Sequence, residues 1–290
     1  MHSKNLRGVL FMLAAVAMFS VMDTTMKRLV EVYSAMQVTF LRGAASLPFL
    51  LAAAAWFNHW QDLVPRRWSL HLLRGALSVA TLWLFVYAVG QLSLADTYTV
   101  FMSAPLLITM LSVPMLGERV GWRRWLAVVA GLLGVILVLK PSGAGLATVG
   151  GLFALAAAAG YALSVITIRI LSRTDTSAAT VMWSILLMTV FSGLLAAFDW
   201  TPLDRGHWPL LLTLGATGAL GQYFITEAFR RGSAPVLAPL EYTALAWGML
   251  FDWLLWATLP SARMLFGALV IVGSGLYVIH RERVTMRVTA

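Results

Sequence analysis

The sequence predicts an all-α integral membrane protein, ten transmembrane helices arranged as two inverted five-helix repeats. Three observations lead there. Of 290 residues, 60% are hydrophobic and 11% charged, with a mean hydropathy of +0.83, whereas a soluble domain carries roughly a quarter charged residues. Apolar runs of about the 20 residues needed to cross the hydrocarbon core follow one another along the chain. The first half also overlays the second at an offset of 142 residues.

The runs fall at 8–28, 35–57, 69–89, 95–116, 122–139, 149–171, 178–198, 207–229, 235–258 and 262–280. Lys4 and Arg7 precede the first, which is too long for a signal-peptide core and reads as a retained helix. Backbone groups in lipid must be satisfied within the segment, so each run is helical. A barrel would need short alternating strands, a pattern the chain lacks. Turn chemistry or charge marks the breaks: Pro65-Arg66-Arg67, Gly117-Glu118-Arg119, Lys140-Pro141, Asp175, Asp204-Arg205-Gly206 and Pro260-Ser261. Placing both termini in the cytoplasm leaves 14 Lys and Arg in the inside segments and 5 outside, the bias expected of an oriented multi-pass protein. The same clustering explains the net charge of +9 by an anionic membrane surface and argues against nucleic acid as a partner.

At the 142-residue offset, Gly8, Leu10, Phe11, Leu13, Thr25 and Leu29 fall on Gly150, Leu152, Phe153, Leu155, Thr167 and Leu171. The repeats are residues 1–140, holding helices one to five, and 145–290, holding six to ten. Five is odd, so the second unit enters the bilayer from the opposite side. Inverted repeats place a substrate site between the halves near the midplane, which predicts a secondary carrier working by alternating access.

Leu92-Ser-Leu-Ala-Asp-Thr-Tyr98, Ala104-Pro105-Leu106 and Leu116-Gly117-Glu118-Arg119-Val120 resemble the EamA domain of the drug/metabolite transporter superfamily. The second half matches with Ser233-Ala-Pro235, Pro239-Leu-Glu-Tyr-Thr243 and Pro260-Ser261; Thr258 stands where the first half has Glu118. The resemblance spans nearly the whole chain. It implies a ten-helix carrier in a bacterial inner membrane, moving a small polar or amphipathic metabolite that is amino-acid-like, nucleotide-like or vitamin-like. Proton coupling is open, an uncoupled exchanger is the alternative, and a lipid-handling protein is a more distant one.

Ionisable groups inside spans are expensive and usually face the bundle interior. Asp23 and Lys27 are four residues apart, on one face of helix one, and can pair there or snorkel outward. Arg42 lies about 10 Å into helix two, an anion-facing or helix-bridging depth. Glu241 and Tyr242 follow Pro239 in helix nine, and Pro105 plays the matching part in helix four beside Tyr98 and Met102. Prolines in spans free a backbone carbonyl and mark broken helices at carrier sites. Glu241 there suits a cation or a proton. Trp247 lines either a pocket or the lipid belt. Glu227 and Arg231 read as a structural ion pair, and Asp96 as a residue favouring a helix N-terminus. Gly131, Gly134, Gly267, Gly273 and Gly275 serve packing or self-association, which leaves a homodimer open. No zinc, nucleotide or nucleophile motif occurs, the five histidines do not cluster, and cysteine is absent. The expectation is no catalytic residue, no metal and no cofactor.

Overall fold

The computed structural model describes residues 2–56, 63–117, 120–139, 149–231 and 237–289. Glu118, Arg119, the Lys140-Pro141 break and Ser233-Ala-Pro235 lie outside them. The regular elements among the described residues are all helices, with no strand. The helices are α1 (His2–Val30), α2 (Ala35–Trp56), α3 (Trp68–Gln91), α4 (Leu94–Phe101), α5 (Ala104–Leu116), α6 (Trp122–Leu139), α7 (Val149–Leu171), α8 (Ser177–Ala196), α9 (Trp208–Arg231), α10 (Ala244–Trp256) and α11 (Ala262–Thr289). A 3-10 segment, Ala238–Thr243, leads into α10. Six stretches are long and apolar enough to cross a membrane: Arg7–Val30, Ala35–Ala52, Trp68–Gln91, Leu94–Leu116, Val149–Leu171 and Ala178–Asp199.

Two predicted spans are not single helices. The fourth breaks at Met102-Ser103 into α4 and α5. Ser93 caps α4 through its hydroxyl, which accepts from the Asp96 N–H at 2.9 Å and itself donates to the Asp96 carboxylate at 2.7 Å. Pro105 falls in the first turn of α5, where no N–H is needed for the helix ladder. Pro239 likewise opens the 3-10 segment, so the ninth span reaches regular helix only at Ala244.

The helices pack across the two halves of the chain. Helix α1 lies on α9, α3 on α7, α2 on α8 and α9, α4 on α10, and α6 on α11. Lipid gives these apolar surfaces no hydrophobic drive to associate, so close approach at small residues does much of the work. Gly215 of α9 meets the Ala45 carbonyl of α2, and a Cβ on Gly43 of α2 would run into the Thr189 hydroxyl of α8. Of the five glycines singled out in the sequence, Gly131, Gly134 and Gly267 sit at the α6–α11 contact, Gly275 meets Tyr242, and Gly273 faces open space. The core joins Met26, Leu29, Val38, Phe85, Tyr98 and Leu214. Leu133, Leu194, Leu212 and Leu269 point outward, fully apolar and exposed, the surface expected toward hydrocarbon.

Candidate functional site: a cavity beneath a charged seal

Three layers follow one another along α1, α4 and α10. The first is a seal. Lys27 Nζ donates to Asp252 Oδ1 at 2.9 Å, and Asp252 also accepts the Leu94 and Ala95 backbone N–H groups at 3.0 and 2.8 Å. A carboxylate thus caps α4, where the helix dipole favours negative charge. Asp252 is 1% exposed and Lys27 8%. The Lys27 ammonium and the Arg28 guanidinium lie 4.4 and 4.5 Å from the centre of the Trp256 ring, whose Nε1 donates to Glu31 at 3.0 Å. This ties the end of α1 to the end of α10.

The second layer, one turn further in, holds Asp23, Tyr98 and Arg42. The Tyr98 hydroxyl donates to Asp23 Oδ2 at 2.7 Å. Tyr98 is buried against Gly248, where any side chain would collide with its ring. The Arg42 Nε–H points at the Met22 sulfur at 3.5 Å. Arg42 forms no ion pair with any described residue, although it lies within electrostatic reach of Asp23. Both charged side chains keep part of their surface accessible.

The third layer is a cavity of about 230 Å³ between the chain halves. Met102, Pro105, Thr109 and Arg124 come from the first half, Tyr161, Arg169, Glu241 and Tyr242 from the second. Glu241 is exposed to this space and makes no hydrogen bond or ion pair to a described residue. The Tyr242 hydroxyl, also without a hydrogen-bond partner among the described residues, presses on Gly275. Phe101 lines the end nearest Tyr98, packed edge-on to Phe85 at 5.4 Å and beside Tyr161 at 5.4 Å.

The structure therefore brings Met102, Pro105, Glu241 and Tyr242 together in one cavity, and places Asp23, Arg42 and Tyr98 in the layer above it. Pro239 stands at the start of the 3-10 turn that delivers Glu241. Trp247 does not line the cavity; it stacks on Phe251 with ring centres 6.0 Å apart. The expected Asp23–Lys27 pair is not formed. Lys27 turns to Asp252 and Asp23 to Tyr98, because neighbouring helices offer each a buried partner that the α1 surface cannot. The Arg74 Nη1 donates to the Thr180 carbonyl of α8 at 3.0 Å. Glu227 and Arg231 do pair, at 2.6 Å. Sequence reasoning missed Asp252 as a partner, though a lone acid in a span is itself a signal.

Loops at both ends clasp the halves. Tyr33 Oη lies 2.7 Å from His207 Nδ1 and accepts the Asp204 N–H at 3.1 Å. At the opposite end Asp175 Oδ1 accepts the Arg66 N–H at 2.7 Å and sits 3.1 Å from His71 Nε2. Burial alone would raise the Asp175 pKa. Hydrogen bonds from Thr174, the Arg66 N–H and His71 outweigh it and hold this carboxyl well below the usual carboxylate range.

Apolar helices of spanning length around a charged interior define a multi-pass membrane protein. The sequence profile of the EamA-like transporter family matches residues 6–140 and again 148–279. The chain belongs to that family. It is similar to the riboflavin transporter of Vibrio cholerae, at 29% identity over 96% of this chain and 94% of that one. The pseudopaline exporter CntI of Pseudomonas aeruginosa is 29% identical, over 91% and 93%. The S-adenosylmethionine uptake transporter of Rickettsia conorii is 25% identical, over 97% and 95%. A crystal structure sharing 19% of its residues aligns with a TM-score of 0.66 over 95% of both chains, a likeness of fold.

Proposed function

We propose that the protein is a ten-helix secondary carrier of the bacterial inner membrane, built of two inverted five-helix units, with both termini cytoplasmic. In this reading it moves a small polar or amphipathic metabolite by alternating access. The family profile matching twice supports the repeat. So does the packing: with α4 and α5 counted as one span, exchanging the halves maps each main contact onto itself or onto another observed contact. Thus α1 on α9 exchanges with α3 on α7, while α2 on α8 and α6 on α11 map to themselves. The clasps follow suit, since Asp175 stands 142 residues after Tyr33 and each receives a loop N–H from the other half. The excess of Lys and Arg at the cavity end supports the orientation.

The observation that carries the reading is a cavity between the halves holding Glu241, unpaired among the described residues, with the Lys27–Asp252 seal lying beyond it at the start of α4. That is an inward-facing carrier in which Glu241 receives a proton or a substrate cation. Proteoliposomes loaded with riboflavin or S-adenosylmethionine, the compounds named for the relatives, provide the test. Saturable counterflow that is lost in Glu241→Gln, with the melting temperature unchanged, is the expected result. Non-saturable flux, or wild-type rates in Glu241→Gln, overturns it. Counterflow that survives collapse of the proton gradient assigns uncoupled exchange.

A further inference from the structure

Directly beneath the seal lies a charged layer that neither the seal nor the cavity uses. Asp23 is one helical turn from Lys27 on α1, and Tyr98 is one turn from Leu94 and Ala95 on α4. One turn further along α4, Phe101 and Met102 line the cavity. The layer therefore stands between the cavity and the seal.

Its two charges face each other without joining. Tyr98 occupies one oxygen of Asp23, and the other makes no hydrogen bond to a described residue. The Arg42 guanidinium offers five N–H donors, of which the structure engages one, weakly, on a thioether. Both residues keep part of their surface accessible while their neighbours Met22, Met26 and Tyr98 are buried. A purely anionic guest would confront Asp23, and a purely cationic one Arg42. A compact zwitterion satisfies both and brings no net charge into a low-dielectric interior, where an unpaired ion costs several kcal/mol.

We propose that Asp23, Tyr98 and Arg42 form the binding subsite for the α-amino-carboxylate end of a zwitterionic substrate, its ammonium on Asp23 and its carboxylate on the Arg42 fork. A planar guanidinium engages a carboxylate through two parallel hydrogen bonds, which a lysine cannot do. The rest of the substrate extends past Phe101 into the cavity beside Glu241. This subsite rests on the carrier reading and narrows its substrate class.

The test uses purified full-length protein and calorimetric titration with L-methionine, L-phenylalanine, L-arginine and L-glutamate, each compared with its N-acetyl and carboxamide forms. At least one free amino acid binds, tenfold or more tighter than either blocked form. Arg42→Gln removes the discrimination against the carboxamide and Asp23→Asn that against the N-acetyl form, while Arg42→Lys keeps part of it. A merely structural charge pair would not distinguish free from blocked ligands. The subsite is overturned if no free amino acid of the panel binds, if blocked forms bind equally, or if Arg42→Gln leaves the discrimination intact. Should a variant fail to fold, the wild-type comparison of free and blocked ligands decides alone. Counterflow of riboflavin or S-adenosylmethionine with a negative panel overturns the subsite and leaves the carrier reading standing.

Discussion

Replacing Asp252 by asparagine tests the seal directly. The carboxylate accepts three hydrogen bonds, at 2.9, 3.0 and 2.8 Å, from one buried ammonium and two backbone N–H groups. Removing one partner of a buried ion pair costs about 3–5 kcal/mol, largely because the other charge is left stranded. Asparagine keeps one carbonyl oxygen for the α4 N-terminus, so the lower figure, about 3 kcal/mol, is appropriate. At 1.4 kcal/mol per factor of ten, that is a shift of roughly 150-fold in the balance between a sealed and an unsealed conformation. The chain has no cysteine, so Ser20→Cys, 1% exposed and three residues from Asp23, is a clean reporter. Asp252→Asn raises its labelling by an impermeant maleimide, applied from the Lys27 side, at least tenfold. Lys27→Met does the same, and Trp256→Phe does so less, since a cation–π contact contributes only about 0.5–2 kcal/mol. Unchanged labelling together with an unchanged melting temperature in Asp252→Asn would refute the reasoning.

Three further outcomes follow from the packing and the clasps. Asp175→Asn lowers stability by about 2–3 kcal/mol at pH 7, from lost charge-assisted hydrogen bonds. Because folding depresses the Asp175 pKa below its unfolded value near 3.9, that stabilisation is full above about pH 4 and fades as pH falls further, so thermal melts show the deficit steady from pH 8 to 5 and narrowing below. Gly215→Ala costs about 1–3 kcal/mol in a denaturation series, because its Cβ meets the immovable Ala45 carbonyl, whereas Gly273→Ala, with open space around it, gains about 0.5–1 kcal/mol from helix propensity. Gly275→Ala drives Tyr242 off its seat and slows transport several-fold, and Tyr242→Phe, which removes the colliding hydroxyl, restores most of the rate in the double variant.

Helix placement was legible because it is local. Twenty apolar residues must be helical in lipid whatever surrounds them, and Pro105 and Pro239 announce their breaks through a missing N–H. The expense of burying Asp23, Arg42 and Glu241 also marked them as interior from sequence alone. Partner choice was not local. Asp23 and Lys27 share a face of α1, but an i,i+4 pair is worth only about 0.2–0.5 kcal/mol. Asp252, 225 residues beyond Lys27, offers a buried carboxylate already fixed by two backbone N–H groups, and Tyr98 offers Asp23 a hydroxyl donor. Local composition marks the segments apolar enough to enter a membrane and the side chains too costly to face it. Which charge meets which is a matter of packing, because it depends on how α1, α4 and α10 converge.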